Sequence, residues 1–259
     1  MLEIPVGELT AWLGRFLWPF FRISAFFMAM PVIGTQLVPM RVRLGLSIVV
    51  TLVVVPLLPV MPRVDGLSIA AYLLIGQQVL LGVVMAFALQ LLFQIFIVAG
   101  QMISYQMGLG FASIADPVNG VSVAVLSQFY LMLTMLLFLS MNGHLVVIDV
   151  LVESFRVIPV SLTLFDVGML WQIVAWGAWM FAGAVIIALP AVTALLVVNF
   201  AFGIMNRAAP QLNIFSLGFP FTMLFGLLIV FISLSGFLPQ YQKIAEEGLV
   251  MMRQLIGMP

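Results

Sequence analysis

The sequence contains no cysteine and very few charged residues. Its 259 residues include nine basic and nine acidic side chains, and only 7% are charged, against roughly a quarter in ordinary soluble domains. The absence of cysteine excludes disulfides, iron–sulfur clusters and thiol nucleophiles. The formal net charge is zero and no basic patch occurs, so we expect no nucleic-acid partner.

Apolar residues make up 64% of the chain. Eighteen charged side chains cannot cover the surface of a soluble domain of this length, so lipid or other subunits must cover much of it. The few charges are separated by apolar stretches long enough for membrane-spanning helices, which need roughly 20 residues. An acidic residue, Glu3, stands where a cleavable signal would carry positive charge, so we expect the first apolar segment to be retained.

The pattern predicts an all-α, polytopic membrane-type protein that forms a single domain. Six long helical segments are predicted near residues 9–33, 43–61, 68–106, 121–151, 167–206 and 212–238. A short polar tail is predicted after Pro239. Pro190 lies inside the fifth segment and is predicted to kink it or break it in two.

The third segment is too long for a simple perpendicular span. A helix of nearly 40 residues would extend roughly 55–60 Å, about twice the hydrocarbon thickness of a bilayer. It must tilt, break, or leave the bilayer and pack on protein. Basic residues are nearly balanced between the two sides of a six-span arrangement, so the insertion topology stays open.

Charged side chains occur inside the first segment. Glu8, Arg15 and Arg22 are seven residues apart, which places them along one helix face about 10 Å from one another. We therefore predict buried polar contacts for Arg15 and Arg22 with another helix, another subunit or a polar cavity. The alternative is that these side chains reach out to the membrane interface.

Three glutamines in the third segment, Gln90, Gln94 and Gln101, are also predicted to share a helix face. Amides in apolar surroundings usually form hydrogen bonds across helices. We interpret them as buried polar contacts that hold helices together, in preference to a substrate path.

The sequence offers no constellation for catalysis or metal binding. His144 is the only histidine, and no cysteine could complete a metal site with it. No motif combines a nucleophile, a base and an orienting group, and no phosphate-binding glycine loop follows a strand. We therefore expect a protein that is not an enzyme and that needs no cofactor or metal.

The stretch between the third and fourth segments, residues 106–120, has an unusual composition. Gly108 and Gly110 are predicted to end the helix, and Asp116-Pro117 is typical of a turn. The middle, from Leu109 to Ala115, is nevertheless small and apolar. Its backbone polar groups would be unsatisfied in lipid unless protein or a water-filled cavity surrounds them. The loop is therefore predicted to be an apolar insert inside an assembly, as a pore constriction or plug would be.

A family resemblance is carried by residues 199–220. The segment from Asn199 to Phe215, with the run Arg-Ala-Ala-Pro-Gln-Leu-Asn beginning at Arg207 and continuing to Gly218-Phe219-Pro220, resembles the signature of the flagellar biosynthetic protein FliR family. That family is the R component of the type III secretion export gate. The resemblance also includes the loop 108–117 and the turn 41–43, and it extends over essentially the whole chain.

This resemblance implies long, kinked helical hairpins packed in a helical hetero-oligomeric export gate. One R subunit would join five P and four Q subunits, with a P-like portion at about 1–200 and a Q-like helical hairpin at about 201–259. The expected location is the bacterial inner membrane and flagellar basal body, partly above the membrane plane. Further expected partners are other export-apparatus membrane proteins, secreted flagellar polypeptides and membrane lipid.

The resemblance also implies that the loop plugs the central channel, together with a methionine ring from the P subunits. The implied plug residues are Gly108, Leu109, Gly110, Phe111, Ala112, Ser113, Ile114, Ala115, Asp116 and Pro117. Our own interpretation of the signature is that four residues cap and connect helices during assembly: Arg207, Pro210, Gln211 and Asn213.

Three alternatives remain at this stage. The first is the homologous subunit of a virulence injectisome. The second is an autonomous transporter or channel, which predicts repeated broken helices and paired intramembrane charges. The third is a structural membrane scaffold, for which a plug-like loop has no purpose.

Overall fold

The computed structural model describes residues 6–35, 37–62, 64, 68–109, 125–161, 167–208 and 214–258. Every regular element within these residues is helical. The helices are α1 (Val6–Ala29), α2 (Met40–Val54), α3 (Ile69–Gln106), α4 (Val125–Ser140), α5 (Gly143–Val157), α6 (Val167–Ala208), α7 (Ile214–Ser233) and α8 (Phe237–Leu255). Single 3₁₀ turns follow α2 and α7.

The all-α, polytopic prediction is confirmed. Four described helical stretches are long and apolar enough to cross a membrane, or five if the bent pair α4–α5 counts as one span. The predicted continuous third segment is α3, with 38 residues, and α6 is longer still, with 42 residues. At 1.5 Å per residue these helices extend roughly 57 and 63 Å, about twice the hydrocarbon thickness.

The predicted fourth segment, 121–151, is wrong as a single helix. Within its described part, α4 ends at Ser140, α5 begins at Gly143, and the two helices are bent by 70°. Asn142 lies between them with φ at 58°. Asparagine adopts this left-handed conformation more readily than most residues, which explains why the chain turns here.

Pro190 was predicted to kink the fifth segment or break it in two, and the break does not occur, because α6 continues through it from Val167 to Ala208. Each further unsatisfied backbone group costs several kcal/mol in an apolar environment, so a helix that accommodates proline is favoured over a broken one. The single hydroxyl of Thr193 donates a bifurcated hydrogen bond to the carbonyl oxygens of Leu189 (2.7 Å) and Pro190 (3.0 Å).

The predicted polar tail after Pro239 is instead the amphipathic helix α8. Pro239 is the third residue of α8, within the first turn, where a missing N–H removes no intrahelical hydrogen bond. Phe237 and Tyr241 are buried, whereas Lys243 and Glu246 are exposed. The polar composition therefore belongs to one face of a helix.

Two compact units divide the chain, and each combines segments that are distant in sequence. The first contains Met1–Leu91, Asn142–Trp176 and Glu247–Pro259, and the second contains Leu92–Met141 and Gly177–Glu246. The division does not follow the predicted boundary near residue 200, so the P-like and Q-like portions stay a prediction.

Each unit has an apolar core of its own. In the first, Ile23, Phe26 and Phe27 of α1 are fully buried, as are Leu74 and Leu81 of α3. In the second, the rings of Phe96, Tyr130, Phe237 and Tyr241 pack with centroids between 5.3 and 5.8 Å apart.

Candidate functional site

Helices α3 and α4 form an antiparallel hairpin within the second unit. The rings of Phe93 and Phe138 are 5.4 Å apart. Nearer the loop, a Cβ at Gly100 would lie 2.8 Å from the Cα of Ser127, so the backbones meet where glycine leaves room. Helices α3 and α4 therefore pack closely near the residues that flank the segment 110–124. That segment lies outside the described residues.

The end of α3 is fixed by a glycine cap. Gly108 has φ at 81°, the N–H of Leu109 donates to the carbonyl of Ser104 (3.0 Å), and the N–H of Gly108 donates to the carbonyl of Tyr105 (3.0 Å). This is the Schellman arrangement, in which glycine takes the left-handed position and two terminal carbonyls are satisfied. The prediction that Gly108 ends the helix is confirmed.

Two other helices hold the residues that precede Gly108. Met107 is fully buried, and a Cβ at Gly226 of α7 would lie within 2.8 Å of its Cγ, Sδ and Cε atoms. We call this close contact between Met107 and Gly226 the methionine notch. The amide nitrogen of Asn199 on α6 donates a hydrogen bond of 3.3 Å to the carbonyl of Gln106. The start of the loop is thus fixed by α6 and α7.

Most of the predicted plug lies outside the described residues. Gly108 and Leu109 are described and half-buried. Gly110, Phe111, Ala112, Ser113, Ile114, Ala115, Asp116 and Pro117 are not among the described residues. What the structure provides is the base on which this loop is held.

A second polar centre lies in the first unit around Arg22, which is fully buried. Its Nε donates to Oε1 of Gln78 (2.8 Å). Nη1 donates to the carbonyl and hydroxyl oxygens of Ser154 (2.9 and 3.0 Å), and Nη2 donates to the carbonyl of Ile158 (2.9 Å). The guanidinium carbon lies 4.1 Å from the ring centroid of Phe155. We call these five residues the Arg22 cluster.

The Arg22 cluster holds a buried cation with uncharged partners. Among the described residues, its hydrogen bonds go to an amide, a hydroxyl and two carbonyl oxygens. The carbonyls of Ser154 and Ile158 are at the carboxyl end of α5, where the helix dipole favours positive charge. A Cβ at Gly82 of α3 would clash with the backbone oxygen of Arg22, so glycine permits this close approach. Arg22 thereby joins α1, α3 and α5.

The three predicted glutamines have different surroundings. Gln90 donates a hydrogen bond of 2.6 Å to the carbonyl of Ala29 at the end of α1. Gln101 is half-buried and Gln94 is exposed within the single chain, so the predicted buried contact of Gln94 stays a prediction.

Arg15 is exposed within the single chain, so its contact with another subunit or with the membrane interface stays a prediction. The segment packed beside it presents apolar side chains and leaves a cavity. Arg207 is exposed in the last turn of α6, while Pro210, Gln211 and Asn213 lie outside the described residues.

Several residues that organise these contacts were not assigned this role from the sequence. Gln78 and Ser154 complete the Arg22 cluster, and Asn199 and Gly226 hold the start of the loop. Gln78 had a usable signal, because it is an amide in the same uncharged helix as the predicted glutamines. Ser154 and Gly226 had none, since only the tertiary packing makes them neighbours of Arg22 and Met107.

In the part of the chain that the structure describes, no group of three or more histidine, aspartate or glutamate side chains could hold a metal ion. The contacts at both centres are those of helix packing and buried hydrogen bonds. This arrangement is suited to holding a loop and a helix bundle in place within a membrane.

Comparison with known proteins agrees with this membrane-embedded architecture. The family described as bacterial export proteins, family 1, matches residues 13–248. The flagellar biosynthetic protein FliR of Escherichia coli (strain K12) is 37% identical over 227 residues, which are 88% of this chain and 87% of that protein. FliR of Pectobacterium carotovorum subsp. carotovorum is 36% identical over 247 residues, 95% and 93% of the two chains. FliR of Bacillus subtilis (strain 168) is 27% identical over 246 residues, 94% and 95% of the two chains.

The chain is thus a polytopic membrane protein of the bacterial export class. It belongs to bacterial export proteins, family 1, alongside the flagellar biosynthetic proteins FliR. This membership makes it a component of the flagellar type III export apparatus, and it does not favour the injectisome subunit or the autonomous transporter.

Proposed function

We propose that this chain forms and plugs the channel of the flagellar export gate through the loop between α3 and α4. The observation that carries the proposal is the fixed base of that loop. The glycine cap at Gly108, the methionine notch and the Asn199 hydrogen bond all act on the residues where the loop begins. A short apolar loop on a rigid base can close a channel sterically and resist the entry of water and ions.

The proposed plug comprises residues 108–117, and its apolar middle supports a constriction rather than a binding site. Secreted flagellar polypeptides would displace it during export. The chain itself would catalyse no reaction, and the proton-motive force and an ATPase elsewhere in the apparatus would supply the energy.

The proposed assembly is one copy of this chain with five P and four Q subunits, beside other membrane proteins of the export apparatus. Residues of about 1–200 would form the P-like portion, and about 201–259 the Q-like hairpin. Arg207, Pro210, Gln211 and Asn213 would connect helices at their junction. The lengths of α3 and α6 support a location in the inner membrane and basal body that extends above the membrane plane.

The plug is tested by replacing residues 110–115 with a glycine–serine linker of equal length, which leaves Gly108, Leu109 and the base intact. The co-purified assembly should form normally and conduct small ions in a planar bilayer, because the apolar constriction is gone. A matched control replaces Gly177 and Gly203 with alanine, since a Cβ at either position meets no atom within 4 Å. An assembled complex whose conductance equals that of the control would refute the plug.

The assembly is tested by the native mass of the complex after co-expression with candidate P and Q subunits. We expect a single species with five P, four Q and one R subunit. Recovery of this chain alone or as a homo-oligomer would refute the proposed composition without bearing on the contacts at the base of the loop.

A further inference from the structure

A cavity in the first unit combines one cation with an apolar lining. It has a volume of about 370 Å³ and is lined by Arg15 and Phe16 of α1 and by Leu52, Val55, Pro56, Leu58, Pro59, Val60 and Met61 at the end of α2 and just beyond it. Its size falls at the lower end of the range of ligand pockets, roughly 300–1,000 Å³. Arg15 is the only charged residue in this lining.

The guanidinium of Arg15 is available to a ligand. Arg15 is exposed, and among the described residues it takes part in no hydrogen bond or ion pair. Arg43, at the other end of α2, is engaged within the chain, because it donates hydrogen bonds to the carbonyls of Thr35 and Val38. An unengaged arginine beside apolar walls favours an anion that brings an apolar portion with it.

The position of the cavity along α2 indicates which anion this is. The apolar span Met40–Leu57 has 18 residues, so it is about 27 Å long and matches the hydrocarbon thickness of about 30 Å. Only 17% of this span is buried within the chain. The cavity lies at its carboxyl end, which is where the phosphates of one leaflet would be if α2 crosses the bilayer.

An apolar surface continues from the cavity along the span. Val49, Leu52, Val53 and Leu57 of this surface are between 58% and 66% exposed, and Val60 at the cavity rim is 87% exposed. An acyl chain lying along these side chains would remove apolar area from water or replace contacts with bulk lipid. The headgroup would thus be recognised by Arg15 of α1, and the acyl chain by the adjacent face of α2.

We propose that this cavity binds the phosphate of an anionic phospholipid, with Arg15 as the cation and the outer face of α2 as the acyl-chain surface. The observations favour lipid over the carboxylate of a neighbouring subunit. The apolar surface leads out of the cavity at Leu52 along a helix of bilayer length, which fits an acyl chain attached to the anion. The proposal is independent of the plug.

The test is native mass spectrometry of the full chain, purified with any accompanying export proteins and exchanged into micelles containing phosphatidylglycerol or phosphatidylcholine. The wild-type protein should retain phosphatidylglycerol in preference to phosphatidylcholine. Arg15→Gln should lower that preference roughly fivefold, because one arginine near the membrane surface contributes about that much. Arg41→Gln should leave it unchanged, since Arg41 is exposed at the opposite end of α2.

A second pair of variants tests the cavity without altering Arg15. Val60→Asp places a carboxylate at the exposed rim and should repel the anionic headgroup. Val60→Asn, whose side chain has the shape of aspartate but no charge, should retain the lipid preference. Equal effects of Arg15→Gln and Arg41→Gln, or of the two Val60 variants, would overturn the proposal.

Two further results would assign the cavity to another ligand and also overturn the proposal. One is an Arg15-dependent adduct with inorganic phosphate in the absence of lipid, equal in strength to the phosphatidylglycerol adduct. The other is loss of a co-purified export subunit in Arg15→Gln with no change in lipid retention, which would identify a partner's carboxylate as the anion.

Discussion

The Arg22 cluster in the first unit and the methionine notch in the second join helices by opposite means. Arg22 is a fully buried cation that donates four hydrogen bonds at 2.8–3.0 Å. The methionine notch contains no hydrogen bond, because Met107 packs on the bare backbone of Gly226. Directional bonds to a buried charge are lost abruptly when helices shift, whereas a flexible thioether can repack. The difference suits a hydrogen-bonded joint in one unit and a base of packed apolar atoms for the loop in the other.

The largest expected effect is that of Arg22→Met. The substitution leaves the buried oxygens of Gln78 and Ser154 and the half-buried carbonyl of Ile158 without their donor, so stability should fall by about 3–5 kcal/mol at about 1–3 kcal/mol for each buried unsatisfied group. The measurement is the thermal unfolding midpoint of the purified complex in detergent, together with its abundance in membranes. Arg41→Met is the control, because Arg41 is exposed. Equal midpoints for the two variants would show that the Arg22 cluster is not a structural joint.

A smaller effect is expected from Gly226→Leu, which fills the methionine notch. Overpacking by the new side chain should cost about 1–3 kcal/mol, measured as a lower unfolding midpoint. The double variant with Met107→Ala should recover part of the loss, since the alanine removes the atoms that clash.

Gly203→Leu is the matched control for the notch, because a Cβ at Gly203 of α6 meets no atom within 4 Å. Strictly additive losses for Gly226→Leu and Met107→Ala would mean that the two residues are not coupled. The methionine notch would then not be a contact that joins helices, as the Arg22 cluster is.

The smallest effect is expected at the exposed ion pair of α5. Arg156 and Glu153 are 3.0 Å apart, with side chains 57% and 30% exposed. Glu153→Ala should change stability by no more than about 0.5 kcal/mol, because water screens such pairs. The same unfolding assay measures this variant and Arg22→Met. A loss of stability above about 2 kcal/mol for Glu153→Ala would mean that burial does not explain the difference between the contacts of Arg156 and those of Arg22.

Local chemistry explains which parts of the fold were predictable. The length of α3 follows from an uncharged apolar stretch, and its end follows from glycine at position 108, where φ is 81°. The helix α8 was missed although its pattern was present: Pro239 and several charges suggested a tail, while Phe237 and Tyr241 already had the four-residue spacing of a buried helix face.

The contacts of the candidate sites were not predictable in the same way. Arg22 bonds to residues 56, 132 and 136 positions away, and no local pattern selects partners at that distance. Arg15 lies on the same predicted stripe but is exposed, because the neighbouring segment, not the spacing along α1, decides burial. The fit of Gly226 against Met107 likewise exists only in the packed structure.

The most direct test of the proposed channel plug uses the absence of native cysteine. A single Ala112→Cys variant would be assembled with its export partners and exposed to a stalled, cross-linkable flagellar polypeptide. Trp171→Cys is the reference, because Trp171 is 74% exposed on α6 and lies outside the proposed plug. We predict cross-linking of the polypeptide at position 112 and none at position 171. Equal cross-linking at both positions, or cross-linking only at position 171, would contradict the assignment of this loop to the export channel.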